Sequence, residues 1–322
     1  MRKKVFLFNL LVFLCSFGIF AKELTIMSFN VQGHGPGSSE HDFGNAKWKN
    51  QIAAVIKQSG ASIVLLQEVR LNSENDINPL IEILNGKGGK WKSTTSVKYA
   101  TCSYDLNNAV LYDEKNVLLV NDLSKKLNFR AYKYDQDNNV ADDCRTYQFD
   151  KNHEQVLEFS FPKNSAQTFY VVNVHAPGPG SQELRKEKEQ LENLYRHYKR
   201  KPIIIAGDFN MRRREFVPSS AFGDAIVDGD SGMYADANSL RTTLSTAGMK
   251  ISLANDYDHF IVSRNSLFNV SEQMHHVFSP RKKESYDSIK IGGTTYKSTE
   301  EYKQGVSDHL PIMMKLNFSA NK

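Results

Sequence analysis

The chain has 322 residues, of which 40% are hydrophobic and 24% are charged, a composition that is typical of a soluble globular protein and does not suggest disorder. Lys and Arg number 41 and Asp and Glu number 36; residues 1–21 hold three of the basic residues and none of the acidic ones, so residues 22–322 carry 38 − 36 = +2. With so small a net charge, the overall charge is weak evidence for a polyanionic partner, and local basic clusters matter more.

The N-terminal segment predicts export. Arg2, Lys3 and Lys4 precede an apolar run over residues 5–20 that ends at Ala21. This is the pattern of a secretory signal peptide, and the run is too short for a comfortable membrane span. We expect cleavage after residue 21, a secreted or periplasmic protein, and no integral membrane association of the mature chain. An uncleaved N-terminal anchor is the alternative.

Residues 22–322 predict one domain, because no internal repeat and no linker divides them. We expect this domain to be a monomer. Cys102 and Cys144 remain after signal removal, and in an oxidising compartment they form either one disulfide or two free buried thiols. The sequence does not choose between these two states.

Short apolar runs predict buried strands, and most of them carry polar side chains at one end. In chain order these runs cover residues 24–31 with Asn30, 63–69 with Glu68, 169–175 with His175, 203–210 with Asp208 and Asn210, 257–262 with Asp258, and 310–318 behind Asp308 and His309. Shorter strands are predicted at residues 91–97, 109–112, 117–120 and 156–161, and a hairpin turn at Gly292-Gly293. The spacing of apolar residues predicts helices at residues 48–56, stopped by Gly60, and at residues 79–84 and 182–198.

These polar strand ends share one chemistry. Turn formation explains any single member, such as Asp208-Phe209-Asn210, but it does not explain the recurrence after buried runs. Carboxylate and amide oxygens suit Mg²⁺, with Mn²⁺ or Ca²⁺ as alternatives, while the sequence lacks the thiolate clusters and the His-x₃-His spacing of zinc sites. His175 and His309 supply a general base and a general acid. Together these groups predict cleavage of a phosphoester.

The polar residues lie in motifs whose order resembles that of the endonuclease/exonuclease/phosphatase superfamily. The motifs are Ser28-Phe29-Asn30-Val31, Gln67-Glu68-Val69, Asn173-Val174-His175-Ala176, Gly207-Asp208-Phe209-Asn210, Tyr257-Asp258-His259 and Ser307-Asp308-His309-Leu310-Pro311. His175-Ala176-Pro177, the tract over residues 207–220 and Tyr257-Asp258 are most similar to the deoxyribonuclease I-like nucleases. The resemblance implies an α/β (α+β) fold, a four-layer α/β/β/α sandwich of two packed mixed sheets, with the active site at one rim.

The resemblance also implies a role for each motif. The implied metal ligands are Asn30, Glu68 and Asp308. The implied catalytic residues are His175, His309, Asp208, Asn210 and Asp258, and the implied substrate contacts are Tyr104, Arg145 and Arg212. In these roles His309, oriented by Asp258, activates water, and His175 protonates the leaving oxygen. Asp208 and Asn210 hold the phosphate and the attacking water.

One motif departs from the family pattern. The deoxyribonuclease I group pairs its acid histidine with a glutamate that follows a tyrosine, but this chain reads Tyr104-Asp105-Leu106-Asn107-Asn108. Either Asp105 or an asparagine replaces the glutamate, or His175 lacks a carboxylate partner.

Several other polar residues have two interpretations. His259 is expected to pack in the core, because neighbours on a strand point to opposite faces. His34, His275 and His276 are expected to be solvated in polar loops. The run Arg212-Arg213-Arg214 is either a solvated face or, directly after the phosphate motif, a polyanion contact.

The motif set favours a secreted, divalent-metal-dependent endonuclease acting on DNA, with RNA as a further substrate. A secreted lipid phosphoesterase, such as a sphingomyelinase or phosphoinositide phosphatase, is the alternative. The polar character of residues 270–305 disfavours it, since lipid enzymes present apolar surface loops. A binding protein that has lost catalysis fits least well, because both histidines and the metal-binding carboxylates are present.

Overall fold

The computed structural model describes residues 22–32, 41–71, 73–86, 88–96, 106–124, 154–162, 164–216, 221–228, 230–231, 240–245, 250–264, 268–279 and 285–318. The predicted signal peptide and the residues His34, Cys102, Tyr104, Asp105, Cys144 and Arg145 lie outside these ranges. No helix within the ranges is long and apolar enough to cross a membrane.

Strands and helices follow the apolar pattern of the sequence. In chain order the strands are β1 (Lys22–Asn30), β2 (Ile63–Arg70), β3 (Trp91–Thr95), β4 (Leu106–Asp113), β5 (Leu118–Asp122), β6 (Gln155–Phe161), β7 (Asn164–His175), β8 (Ile203–Asp208), β9 (Ile226–Val227), β10 (Asp230–Ser231), β11 (Ile251–Ser252), β12 (Asp258–Val262), β13 (Phe268–His276), β14 (Ser285–Tyr286), β15 (Ile289–Ile291), β16 (Thr294–Tyr296) and β17 (Ile312–Phe318). The helices are α1 (Ala46–Ser59), α2 (Asn78–Asn85), α3 (Gln182–Tyr198), α4 (Arg213–Phe216) and α5 (Thr299–Gly305), with a 3₁₀ turn at Glu74–Ile77.

Two mixed sheets form the centre of the described fold. One has the strand order β13-β17-β1-β2-β4-β3, and the other has the order β10-β9-β12-β8-β7-β6-β5. One apolar core lies between the sheets, a second lies between the first sheet and the layer of α1, α2 and α5, and a third lies under α3 on the second sheet. The predicted four-layer α/β/β/α sandwich is confirmed.

Local signals set the helix ends. The side chain of Asn45 accepts hydrogen bonds from Lys47 N and Trp48 N and so caps α1, and Gly60 ends it at φ 63 in the left-handed region. Ser181 caps α3 by accepting from Leu184 N. The predicted hairpin is formed by β15 and β16, which flank Gly292 and Gly293.

Strand direction brings the polar ends to one rim. β1 and β2 are parallel, with Asn30 opposite Gln67, and β7 and β8 are parallel, with His175 opposite Asp208. β12 is antiparallel to β8 and begins at Asp258, opposite Asp208. The carboxyl ends of four strands and the amino end of a fifth therefore meet at one edge of the sandwich.

A buried polar bridge joins the two sheets just below this rim. Gln67 Nε2 donates to Asn173 Oδ1 at 2.7 Å and to Ser28 Oγ at 3.2 Å. Asn173 Nδ2 donates in turn to the Leu66 carbonyl at 3.0 Å and the Ala109 carbonyl at 3.2 Å. Because a buried amide without partners costs about 1–3 kcal/mol, this arrangement favours one alignment of the sheets over shifted ones.

One sequence expectation about this fold is wrong. His275 and His276 are not in a solvated loop but on the edge strand β13, paired with Met313 and Ile312 of β17, and both are buried. His276 Nε2 lies 2.8 Å from the Arg241 carbonyl and Nδ1 lies 2.6 Å from the Tyr286 hydroxyl. The polar composition of the segment concealed the strand, because its pairing partner is distant in sequence.

Burial of His276 predicts a loss of stability in acid. Burial lowers the pKa of His276 to about 4 from its ordinary 6.5. Neutral, buried His276 therefore contributes fully to the free energy of unfolding above pH 6.5. This contribution is lost as the pH falls toward 4, because the unfolded chain binds the proton at a higher pH than the folded protein does. We expect wild type to lose about 2 kcal/mol more unfolding free energy than His276→Phe between pH 7 and pH 5. Urea denaturation of both proteins at each pH measures this, and equal losses would contradict it.

Candidate active site

Asn30 connects the two halves of the site. Its amide nitrogen lies 3.0 Å from Glu68 Oε1, on the first sheet, and 3.0 Å from Asp208 Oδ2, on the second. Its carbonyl oxygen Oδ1 accepts from Gln32 N at 2.9 Å, which fixes the orientation of the amide. Asn30 is fully buried, so a single buried amide holds the carboxylates of Glu68 and Asp208 close to each other.

A bulge in β2 aims Glu68 at this point. The register between β2 and β4 shifts between Leu66 and Val69, and Glu68 has φ 54, a left-handed conformation that is unusual for a residue with a Cβ. Glu68 Oε1 lies 3.5 Å from His175 Nε2. Burial alone would raise the pKa of Glu68, but the hydrogen bond and charge of His175, together with Asn30, outweigh burial and lower the pKa to about 2.

His175 has a carboxylate neighbour after all, and it is Glu68. Burial opposes charge on His175, but Glu68 and then Asp208 outweigh burial and raise its pKa. The asparagines considered as replacements brace the backbone instead. Asn107 Nδ2 donates to the Leu71 carbonyl at 3.1 Å and Asn108 Nδ2 to the Asn173 carbonyl at 3.4 Å. Asp105 lies outside the described residues.

His309 and Asp258 form the second pair of the site. His309 Nδ1 lies 2.8 Å from Asp258 Oδ2, and Nε2 lies 3.7 Å from Asp208 Oδ2. Burial opposes charge on His309, but the negative charges of Asp258, Asp208 and Asp308 raise its pKa well above the ordinary value. Asp258 therefore fixes the ring so that Nε2 faces the centre of the site.

The loop after β8 presents Asp208 and Asn210. Asp208 Oδ1 accepts from Asn210 N at 2.9 Å, and Asn210 Nδ2 donates to the Ala176 carbonyl at 2.8 Å. Burial raises the pKa of Asp208, and the histidines only partly offset that effect. Gly207 is required here, because a Cβ at this position would lie 1.9 Å from the Val174 carbonyl oxygen of the adjacent strand.

The donor set fits a hard divalent cation. One group of side chains with converging ligand atoms is Glu68, His175 and Asp208, and another is Asp208, Asp258 and His309; within each group the atoms lie within 4.8 Å of one another. Asp308 is partly exposed beside them, and burial followed by the charge of Glu68 raises its pKa against the opposing effect of His309. Carboxylate and amide oxygens predominate, as Mg²⁺, Mn²⁺ and Ca²⁺ require.

Two residues that position the site received no role from the sequence. Ser307 Oγ donates to the Asn30 carbonyl at 2.7 Å and accepts from His309 N at 3.1 Å, so it ties the end of β1 to His309. Thr242 Oγ1 accepts from Asp258 N at 3.1 Å and from Tyr257 N at 3.2 Å. Ser307 lies within a motif recognised in the sequence, whereas Thr242 is 16 residues from Asp258 and carries no local signal.

The arginine run after Asn210 does not act as one surface. Arg213 is buried, contrary to both interpretations of the run, while Arg214 is exposed. Arg212 lies at the rim, and its Nη2 donates to Asn255 Oδ1 at 3.0 Å. The predicted substrate contacts Arg145 and Tyr104 lie outside the described residues. Lys303, which was not selected from the sequence, lies close enough to Asp308 for its positive charge to lower the pKa of that carboxyl.

Comparison with known proteins places this geometry in a family. The model of the Endonuclease/Exonuclease/phosphatase family matches residues 27–309, which include the first five motifs and the last one as far as His309. The chain belongs to this family. It is accordingly a metal-dependent phosphodiesterase of the nuclease type, and its site has the donor set that such an enzyme needs.

Individual proteins resemble the chain at modest sequence identity. Deoxyribonuclease gamma of Rattus norvegicus is 26% identical over 309 residues, which cover 93% of this chain and 86% of that protein. The structure of TDP2 from C. elegans has a TM-score of 0.57 at 16% identity and covers 94% of this chain and 77% of that one. The structure of an endonuclease/exonuclease/phosphatase family protein from Bacteroides thetaiotaomicron has a TM-score of 0.57 at 16% identity. The match covers 93% of this chain and 99% of that chain. The two structures confirm the fold.

The pairing of Asp258 with His309 predicts a shift in pH dependence. If His309 is the base, it must be neutral to act, so the rate rises with pH through its pKa. Asp258→Asn removes a negative charge that raises this pKa, and the acid limb of kcat/KM should move to lower pH while kcat falls about a hundredfold or more. Phosphodiester hydrolysis measured across pH tests this. A lower rate with an unmoved acid limb would show that Asp258 does not set the protonation of His309.

Proposed function

We propose that the chain is a divalent-metal-dependent endonuclease that hydrolyses phosphodiester bonds of DNA. The observation that carries the proposal is the convergence of the Glu68–His175 pair and the Asp258–His309 pair on Asp208 at one rim. The relative with the name deoxyribonuclease gamma supports DNA as the substrate. The signal-like N-terminus supports export to the periplasm or the medium.

The two histidines divide the proton transfers. His309 Nε2 takes a proton from water as the water oxygen bonds to phosphorus, and Asp258 stabilises the imidazolium that results. The bond from phosphorus to the leaving oxygen breaks, and His175 gives that oxygen a proton, favoured in its charged form by Glu68. A divalent cation held by Glu68, with Asn30 and Asp308 beside it, would supply neutralisation of the phosphate charge.

The loop after β8 orients the reacting groups. Asn210 donates its backbone N–H to Asp208 Oδ1 and its side-chain N–H to the Ala176 carbonyl, which fixes the amide plane, and its Oδ1, an acceptor only, can receive a hydrogen bond from water. Buried Asp208 lies between both histidines and limits the directions from which water can approach. Orientation of this kind lowers the barrier because the reacting atoms are already close and aligned.

The charges around the rim favour a polymeric polyanion. Arg212 Nη2 donates to Asn255 Oδ1, and Arg241 Nη1 donates to the Leu253 carbonyl, both in the segment before Asp258. Arg70 follows Glu68 by two residues in the sequence, and the charge of Lys303 acts on Asp308. Residues 22–322 carry a net charge of only +2, so local cations of this kind, and not the overall charge, would attract a polyanion. Arginines spaced around a site can contact successive phosphates of a nucleic acid.

Plasmid DNA provides the direct test. We expect the mature protein to convert supercoiled plasmid to nicked circles with Mg²⁺ and to lose this activity in EDTA, because the phosphate charge is then not neutralised. His175→Ala and His309→Ala should each lower the rate about a hundredfold or more. Agarose gels measure the conversion. Release of phosphocholine or phosphate from lipid vesicles, without nicking, would replace the proposal with the lipid alternative.

Metal binding has a readout that does not depend on activity. Mg²⁺ at about 100 times its dissociation constant should stabilise the folded protein by about 2.7 kcal/mol. Glu68→Gln should reduce the thermal shift caused by Mg²⁺, and the matched variant Glu158→Gln, on β6 next to the edge strand of the second sheet, should not. An equal shift in all three proteins would contradict the assignment of Glu68 as the metal ligand.

A further inference from the structure

His259 lies on the face of β12 opposite Asp258 and is fully buried. Its Nδ1 lies 2.9 Å from Asp228 Oδ2, and its Nε2 lies 3.0 Å from the Met211 carbonyl and 2.7 Å from the Asp256 carbonyl. Carboxylate and carbonyl oxygens only accept hydrogen bonds, and a neutral imidazole has one N–H. Both ring nitrogens therefore donate, and the ring is an imidazolium.

The charge on this ring is balanced within the fold. Burial opposes the charged form of His259, but the charge and hydrogen bond of Asp228 outweigh burial and raise its pKa. Asp228 is itself fixed, since Oδ1 accepts from Phe260 N at 2.9 Å and its own N–H donates to the Phe260 carbonyl at 2.8 Å. The imidazolium is thus held from one side by a carboxylate that cannot turn away.

The other side of the ring holds the catalytic loop. Nε2 bonds the Met211 carbonyl, and the ring of Phe209 packs edge-on against the imidazolium with the centroids 5.8 Å apart. These two residues flank Asn210, which has φ 48 and is therefore in a conformation that a residue with a Cβ rarely adopts. Strained conformations persist where the surroundings over-determine them, and His259 supplies contacts on both sides of Asn210.

We propose that His259, anchored by Asp228, is a positioning residue that holds Asn210 and Asp208 in their catalytic geometry. The inference rests on the proposed function, because it assigns to these two residues the orientation of phosphate and water. It explains why a charged ring is buried on the face of β12 that does not meet the site. The ring fixes the segment over residues 209–211 through its hydrogen bond to the Met211 carbonyl and its contact with Phe209.

Two substitutions separate hydrogen bonding from packing. His259→Phe keeps a ring beside Phe209 but removes both donors, whereas His259→Gln keeps an N–H donor and loses the ring. If His259 acts through its hydrogen bonds, kcat for plasmid nicking should be lower in His259→Gln than in wild type and lowest in His259→Phe. We expect the loss in His259→Phe to be about tenfold or more. KM for DNA and the Mg²⁺-induced thermal shift should stay near wild type in both. A packing role predicts the reverse order, with Phe more active than Gln, and that order would overturn the proposal.

The control lies at the far end of the same pair of strands. Ser263 is buried, accepts from Ile203 N at 3.0 Å and donates to the Lys201 carbonyl at 2.9 Å. Ser263→Ala should lower Tm and leave kcat unchanged.

Asp228→Asn tests the same role if the His259 variants fail to fold. In this variant neutral His259 can still donate from Nε2 to the backbone. We therefore expect kcat to fall less than in His259→Phe. Normal kcat in Asp228→Asn and in every folded His259 variant would overturn the inference.

Hydrogen exchange distinguishes failure of this inference from failure of the proposed function. The amide of Asn210 donates to Asp208 Oδ1, so its exchange reports directly on the loop. We expect faster exchange in the peptide over residues 207–212 of His259→Phe than in Ser263→Ala, compared at equal global stability. A wild-type protein that does not nick DNA contradicts the proposed function, whereas equal exchange in the two variants contradicts the positioning role.

Discussion

The amide nitrogen of Asn30, 3.0 Å from a carboxylate oxygen on each of two sheets, is the contact on which the site depends. Glu68 belongs to the first sheet and His309 precedes β17 of that sheet, whereas His175, Asp208 and Asp258 belong to the second sheet. Neither sheet carries a complete set of groups for phosphoester hydrolysis. The relative alignment of the sheets is therefore a catalytic property as well as a structural one.

The scaffold secures that alignment with specific contacts as well as with apolar packing. The core between the sheets is apolar and would tolerate small shifts, since hydrophobic burial has no direction. The Gln67–Asn173 bridge does not tolerate them, because a displaced amide would be buried without partners. Gly207 lets β7 and β8 approach where a Cβ would collide, and Ser307 ties the first sheet to the segment that bears His309.

The apolar periodicity of the sequence predicted the long strands, the main helices and the layered fold, because those patterns are local. The strand-end motifs also identified the residues that the fold brings to one rim. Tertiary effects were not visible in the sequence. The bulge that turns Glu68 toward His175 depends on the pairing of β2 with β4, and the strand that buries His275 and His276 depends on pairing with β17. Arg213 is buried inside a run of three charges, an outcome that composition alone opposes.

A double-mutant cycle between Glu68 and Asp208 tests most directly whether the two sheets form one catalytic unit. The cycle compares kcat/KM for DNA cleavage in wild type, Glu68→Gln, Asp208→Asn and the double variant. Groups that act as a unit are strongly non-additive, so the double variant should be little slower than the slower single variant. If the two single losses multiply in the double variant, the carboxylates act independently and the account of a site shared across the sheets is contradicted.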